Sequence, residues 1–203
     1  MGHTAYQQII RINLDALFSK PLEERARAAG GEAVDEGMTL RAFGRACRIT
    51  REGVLLDGEA QAGPPGVVIS RYALLAADEP LVFEPYTAFR EIPDSMPYTG
   101  AFATHAEAIL APYTEEVEKQ AEAIREVLGA AGDPGLETGD FCLVLRPLPK
   151  IALAYILYHA DEDFPAGVTC LFSKNAPAHA TPDILADVGE FTSRRILEIL
   201  GKD

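Results

Sequence analysis

A chain of 203 residues is long enough for one well-packed domain and short for two, and 48% apolar with 24% charged residues excludes a disordered or low-complexity protein. A formal net charge of -13 argues against an electrostatic grip on nucleic acid or an anionic membrane surface, since both need clustered Lys and Arg. The cysteines, Cys47, Cys142 and Cys170, have no C-x-x-C or iron-sulfur spacing and read as reduced, buried thiols.

Over positions 4–29, Tyr6, Ile9, Ile10, Ile12, Leu14, Ala16 and Leu17 recur at helical intervals, Pro21 breaks or restarts the helix, and Gly30-Gly31 ends it. Charge interrupts each apolar stretch here, so no signal peptide is read. Segments 38–43, 46–50 and 54–56, separated by Gly44 and Glu52-Gly53, predict a meander of short antiparallel strands. After Gly63-Pro64-Pro65-Gly66, the spacing of Val67, Val68, Arg71, Tyr72, Leu74 and Leu75 predicts a helix with one apolar face. The stretch 79–98 is Pro-rich and aromatic, a long irregular connection of the kind that often carries function.

Val117, Ala121, Ile124 and Leu128 predict an amphipathic helix from Pro112 to Gly129, with Glu115, Glu116 and Glu118 in its first turns, and the GDPG at 132–135 reads as a loop. Two runs, 141–146 and 151–158, are apolar on both faces and predict buried, adjacent antiparallel strands joined through Pro147-Leu148-Pro149-Lys150. The longer run is far shorter than the roughly 20 residues that cross a bilayer. Thr181 is the expected N-cap of a last helix with Pro182 at its first position and Ile184, Val188, Phe191, Arg195 and Ile199 as one stripe. These elements together predict a soluble, cytoplasmic, single α+β domain over 1–203, with a mixed or mainly antiparallel sheet flanked by helices.

Neither G-x-G-x-x-G nor G-x-x-x-x-G-K-[ST] occurs, so nucleotide binding has no sequence support. G-x-S-x-G and H-E-x-x-H are missing as well, which removes the usual signals of a serine hydrolase or a zinc protease and leaves enzymatic activity open.

Five segments carry a resemblance across most of the chain: SRYALLAAD at 70–78, FREIPDSMPYTGAF at 89–102, GDFCLVLRPLPKIAL at 139–153, DEDFPAGVTCLF at 161–172 and ILADVGEF at 184–191. In these the chain resembles the domain-of-unknown-function family 3786, found mainly in anaerobic bacteria and archaea. Arg71 stands where that family tends to have His, so no imidazole role carries over at that point. Some relatives resemble fusions to cysteine-rich iron-sulfur or corrinoid modules, whose cysteine set this chain lacks. The resemblance implies a cytoplasmic accessory protein of an anaerobe and supplies no activity, and no cofactor is identified.

Two constellations are candidate sites. In the acidic turn, His159, Asp161 and Asp163, with Glu162 between them, can offer imidazole nitrogen and carboxylate oxygens to a divalent metal, with His159 and Asp161 on one face if the strand continues. The plainer reading is a solvated turn whose Asp side chains satisfy local amides. In the aromatic connection, Arg90 among Tyr86, Tyr98 and Phe102 can hold a small anionic or planar ligand, because a guanidinium is a rigid donor fork that stacks on rings. Its plainer reading pairs Arg90 with a surface carboxylate while the aromatics fill the core. His179 reads as a loop residue, and His105 as a histidine at the edge of the core beside Phe102 or Ile109.

Three functions follow: a ligand-binding or accessory module linked to anaerobic cofactor metabolism and using the Arg90 loop; a metal-dependent enzyme using the His159 turn; and an assembly subunit or homo-oligomer. The first is expected to place the Arg90 loop and the acidic turn in one cleft.

Overall fold

The structure, a computed structural model, describes residues 2–130 and 139–202. The loop expected at 132–135 lies outside them. The chain folds as α+β, with two fully antiparallel sheets and flanking helices.

Helices α1 (Gly2–Leu17) and α2 (Leu22–Ala28) meet at Pro21, which cannot donate a helical hydrogen bond. Helix α1 buries Ile10, Asn13, Leu14 and Leu17, while Ile9 and Ile12, from the same expected stripe, are exposed. Its buried Asn13 amide donates to Ser70 Oγ at 3.0 Å on α3 (Pro64–Leu75).

The meander comprises β1 (Glu32–Val34), β2 (Gly37–Ala42), β3 (Arg45–Thr50), β4 (Val54–Leu56) and β5 (Glu59–Ala60), hydrogen-bonded in chain order. It has two more strands than expected, each very short. Phe43 and Gly44 close the β2–β3 hairpin with φ of 52° and 78°, the two-residue turn whose twist matches paired strands. Met38, Leu40, Ala42, Cys47, Ile49, Val54 and Leu56 alternate toward the core, and Thr39, Arg41, Ala46, Arg48 and Leu55 face outward.

The second sheet runs β6 (Thr87–Ala88), β9 (Gly167–Phe172), β8 (Ile151–Tyr158), β7 (Phe141–Leu148). Strands β7 and β8 are adjacent and antiparallel, Leu145 opposite Leu153, and β8 is buried from Ile151 to Leu157. The expected turn is shorter than predicted: β7 continues through Pro147 to Leu148 past a register shift. Proline tolerates that place because the ladder is already interrupted. The Pro147 carbonyl accepts the Phe43 amide hydrogen at 2.7 Å, which ties the two sheets together. One sheet face packs Leu143, Leu145, Leu153, Tyr155, Cys170 and Phe172 into the main core, and the other buries Val144, Ala152 and Ala154 under Leu81 and Tyr86.

Between β6 and β7 in sequence lie α4 (Thr99–Phe102), a π-helical turn over Ala103–Glu107, α5 (Thr114–Lys119) and α6 (Ala121–Leu128). The helix expected from Pro112 to Gly129 breaks at Gln120, yet Val117, Ala121, Ile124 and Leu128 are all buried as its spacing requires. Helix α7 (Pro182–Ile199) begins at Thr181 as expected, but the Thr181 side chain makes no capping bond. Its buried face includes Leu185, Gly189, Thr192, Ser193 and Ile196 beside Ile184 and Val188, rotated from the predicted stripe. A methyl group on Gly189 would overlap the Phe102 ring, so glycine is what lets α4 dock on α7.

Candidate functional site

Arg90 and Phe102 line one cavity of about 330 Å³, together with Phe89, Thr99, Glu107 and Thr169. The sequence brings them there in three steps. The two-residue strand β6 pairs with the C-terminal end of β9, and a 3-10 turn over Phe89–Glu91 then turns Phe89 inward and leaves Arg90 exposed. Phe89 stacks on Phe102 at 4.3 Å between ring centroids, with both rings near Phe172. The π-helical turn then adds one residue to the register, with the Ala108 amide donating to the Ala103 carbonyl.

That turn aims Glu107 at the open edge of β9, where its Oε1 accepts the Cys170 amide hydrogen at 2.9 Å. Burial raises the Glu107 carboxyl above its ordinary value, while the Cys170 amide and the positive charge of Arg90 oppose the rise. Beneath it, burial first and the Glu107 charge second push the Cys170 thiol well up, so it stays a neutral thiol. The buried Tyr155 hydroxyl shares a hydrogen bond with Ser193 at 3.0 Å, and Ser193 donates to the Ala106 carbonyl at 2.6 Å. The cavity therefore has a cation, an acceptor held in place from behind, and an aromatic wall.

Tyr86 and Tyr98 are not among the lining residues. Tyr86 belongs to the small cluster on the outer sheet face, where burial pushes its hydroxyl up to about 12. Tyr98 is exposed on the 3-10 turn Met96–Tyr98.

The acidic turn contributes no residue to this cavity either. Strand β8 ends at Tyr158, so His159 and Asp161 do not continue along one face. The His159 ring lies 2.7 Å from Glu118 and 3.1 Å from Thr114, and its amide donates to Asp140 at 2.7 Å. Asp161 Oδ1 accepts the amide hydrogens of Asp163 and Phe164 at 2.8 and 2.7 Å, a turn closed by its own side chain. Among the described residues, no group of three His, Cys, Asp or Glu side chains is placed to hold a metal.

One histidine expectation is corrected, that for His105, while His179 lies in the loop between β9 and α7 as expected. His105 is exposed, because the π-helical turn directs Phe102 and Ala106 inward instead. His179 is fully buried at the end of a 3-10 turn, and neither ring nitrogen has a hydrogen-bond partner among the described residues. Glu107 escaped the sequence reading altogether. Its only signal is a five-residue spacing from Phe102, which no α-helical or strand periodicity selects.

A larger cavity, about 820 Å³, opens on the outer face of the meander. Its guanidinium groups are already committed, Arg41 to the Gly44 and Val127 carbonyls and Arg48 to that of Asp35, and Glu32, Glu36, Glu52 and Asp57 share the lining.

A family model described as a domain of unknown function (DUF3786) matches residues 21–195, a span that contains every residue of the Arg90 cavity. No curated protein and no solved structure matches the chain. No helix among the described residues is long and apolar enough to cross a membrane.

Proposed function

The chain belongs to the DUF3786 family, and we propose that it is a cytoplasmic ligand-binding or accessory module that holds a small anionic ligand in the Arg90 cavity. The observation that carries this reading is the presence of Arg90 and Glu107 in the lining of one cavity of about 330 Å³ with the stacked Phe89 and Phe102 as a wall. A guanidinium presents a planar donor fork to a carboxylate or phosphate, and Glu107 offers an acceptor to a hydroxyl or amine on the same ligand. The rings suit a flat or apolar body, and the volume suits a metabolite rather than a polymer.

The test is a thermal-shift and calorimetric screen of small carboxylates and phosphate monoesters against the parent, Arg90→Ala and Glu107→Gln. A ligand that binds only the folded state raises the melting temperature. Arg90→Ala is expected to abolish the shift while leaving the ligand-free melting temperature nearly unchanged, since an exposed charge contributes about 0–1 kcal/mol. Equal binding of the same compounds by the parent and Arg90→Ala removes the reading.

A further inference from the structure

A second cluster of cations lies at the join between the meander and α7. Arg45, Arg194 and Arg195 line a cavity of about 240 Å³ whose apolar surfaces come from Phe43, Leu56 and Phe191. In a chain of net charge -13, a cavity with these arginines and Glu198 as its one acidic lining residue departs sharply from the surface average. The local structure explains the convergence. The tight Phe43-Gly44 turn throws Phe43 edge-on against Phe191 at 5.8 Å and starts β3 with Arg45, while Arg194, Arg195 and Glu198 follow Phe191 on one side of α7 at helical spacing.

The guanidinium groups are incompletely used. Arg195 donates from its Nη1 to Glu198 at 2.6 Å, but its Nε is buried without a partner among the described residues. Arg45 reaches Asp57 and Glu198 only at 3.9 and 3.8 Å, longer than a hydrogen bond. Arg194 bonds Glu190 from its Nε at 2.9 Å and keeps its side chain 57% exposed. The solvent-exposed guanidinium of Arg194, bonded through its Nε, and that of Arg45, with both acidic neighbours beyond hydrogen-bond distance, leave donors for an incoming anion.

We infer that this cavity is a second ligand site, independent of Arg90, that takes a small carboxylate or phosphate monoester carrying an aromatic or apolar body. The arginines receive the anion, and Phe43, Leu56 and Phe191 cover the body. Gly189, which meets the Phe102 of the other cavity, lies on the opposite side of α7 from Phe191 and Glu198, and the two cavities share no lining residue. Glu198 competes with the anion for Arg45 and Arg195.

The test titrates the full chain with phenyl phosphate, benzoate, benzyl alcohol and inorganic phosphate, reading affinity by calorimetry and location by backbone amide NMR shifts. Phenyl phosphate or benzoate is expected to shift the amides of Phe43, Leu56 and Phe191 saturably, and to bind at least about tenfold more tightly than benzyl alcohol or inorganic phosphate. The relative strength of the two aromatic anions distinguishes a phosphate from a carboxylate preference. Arg194→Gln, whose parent side chain is largely solvated, should lose about tenfold or more. Glu198→Gln should bind more tightly than the parent, which a merely structural role for Glu198 does not produce, and Arg90→Ala should leave the site unchanged. Benzyl alcohol binding as tightly as the aromatic anions, shifts confined to other residues, no saturable shift at all, or parental affinity in both Arg194→Gln and Glu198→Gln overturns the inference.

Discussion

The Glu107 carboxylate accepts the Cys170 amide hydrogen at 2.9 Å at the point where β6 stops covering the edge of β9. Strand β6 pairs only with Leu171 and Phe172, so the next edge-facing amide, two residues back, would otherwise meet water or nothing. A side chain from a π-helical turn takes the place of a strand. The same carboxylate thereby completes the sheet and shares the cavity lining with Arg90, whose charge it feels.

Removing the acceptor and removing the charge should therefore have different effects. Glu107→Ala leaves the Cys170 amide without its partner and is expected to cost about 1–3 kcal/mol in urea unfolding at neutral pH. Glu107→Gln keeps an acceptor oxygen and should cost less, and it should flatten the pH dependence that the parent carboxyl imposes. Burial raises that carboxyl, so the folded state holds the proton more tightly than the unfolded chain. Its contribution to stability is present at low pH and lost as pH rises through the raised value. Equal stability of the Ala and Gln variants at every pH would mean that the amide bond contributes nothing.

His179 should act in the opposite sense. Burial lowers its basicity, with the charge of Lys150 adding to the effect and Glu79 opposing it. The unfolded ring takes up its proton near pH 6.5 while the folded ring does not, so stability is present above that pH and lost as pH falls toward the lowered folded value. His179→Phe, which removes two unpartnered nitrogens from the interior, should be at least as stable as the parent at pH 7 and should lose less stability between pH 7 and 5. A steeper acid loss in the variant would exclude this role.

Asp187 is half-buried on α7, and burial first, then the charges of Glu190 and Asp183, raise its carboxyl to about 6. Stability tied to its neutral form is present at acid pH and declines as pH rises through about 6. Asp187→Asn should be more stable than the parent at pH 8 and indistinguishable from it at pH 4, read from chemical unfolding at both. A gain of the same size at both pH values would point to packing rather than titration.

How much was legible in the sequence followed from which force chose each element. The β7–β8 hairpin was readable because runs apolar on both faces have few other places to go, and Leu153 and Ile156 are buried as that requires. The core face of α7 was not, because Gly189, Thr192 and Ser193 are chosen there for close approach and hydrogen bonding, and a search for apolar residues lands on the flank that carries Phe191 and Arg195. Arg90 and Phe102 stand in one sequence motif and line one cavity, whereas Arg45 meets Arg194 and Arg195 only through the tertiary fold. The acidic turn stayed ambiguous for a local reason: an Asp that closes its own turn has the same spelling as one offered to a metal.

The last prediction concerns cooperativity. One hydrophobic cluster contains Ile49 of the meander, Leu153 of the second sheet and Val188 of α7, and the Phe43–Pro147 bond bridges the sheets directly. If the chain is one domain, its sheets cannot unfold separately, and scanning calorimetry should give a single transition whose calorimetric and van't Hoff enthalpies agree. Ile49→Ala and Leu153→Ala each delete a fully buried side chain and are expected to cost about 2–5 kcal/mol. Each should move the whole transition down in temperature, whichever sheet carries the change. Resolution into two transitions in Ile49→Ala, with the upper one at the parental temperature, would establish that the meander is a unit of its own and that the shared cluster is an interface between two domains.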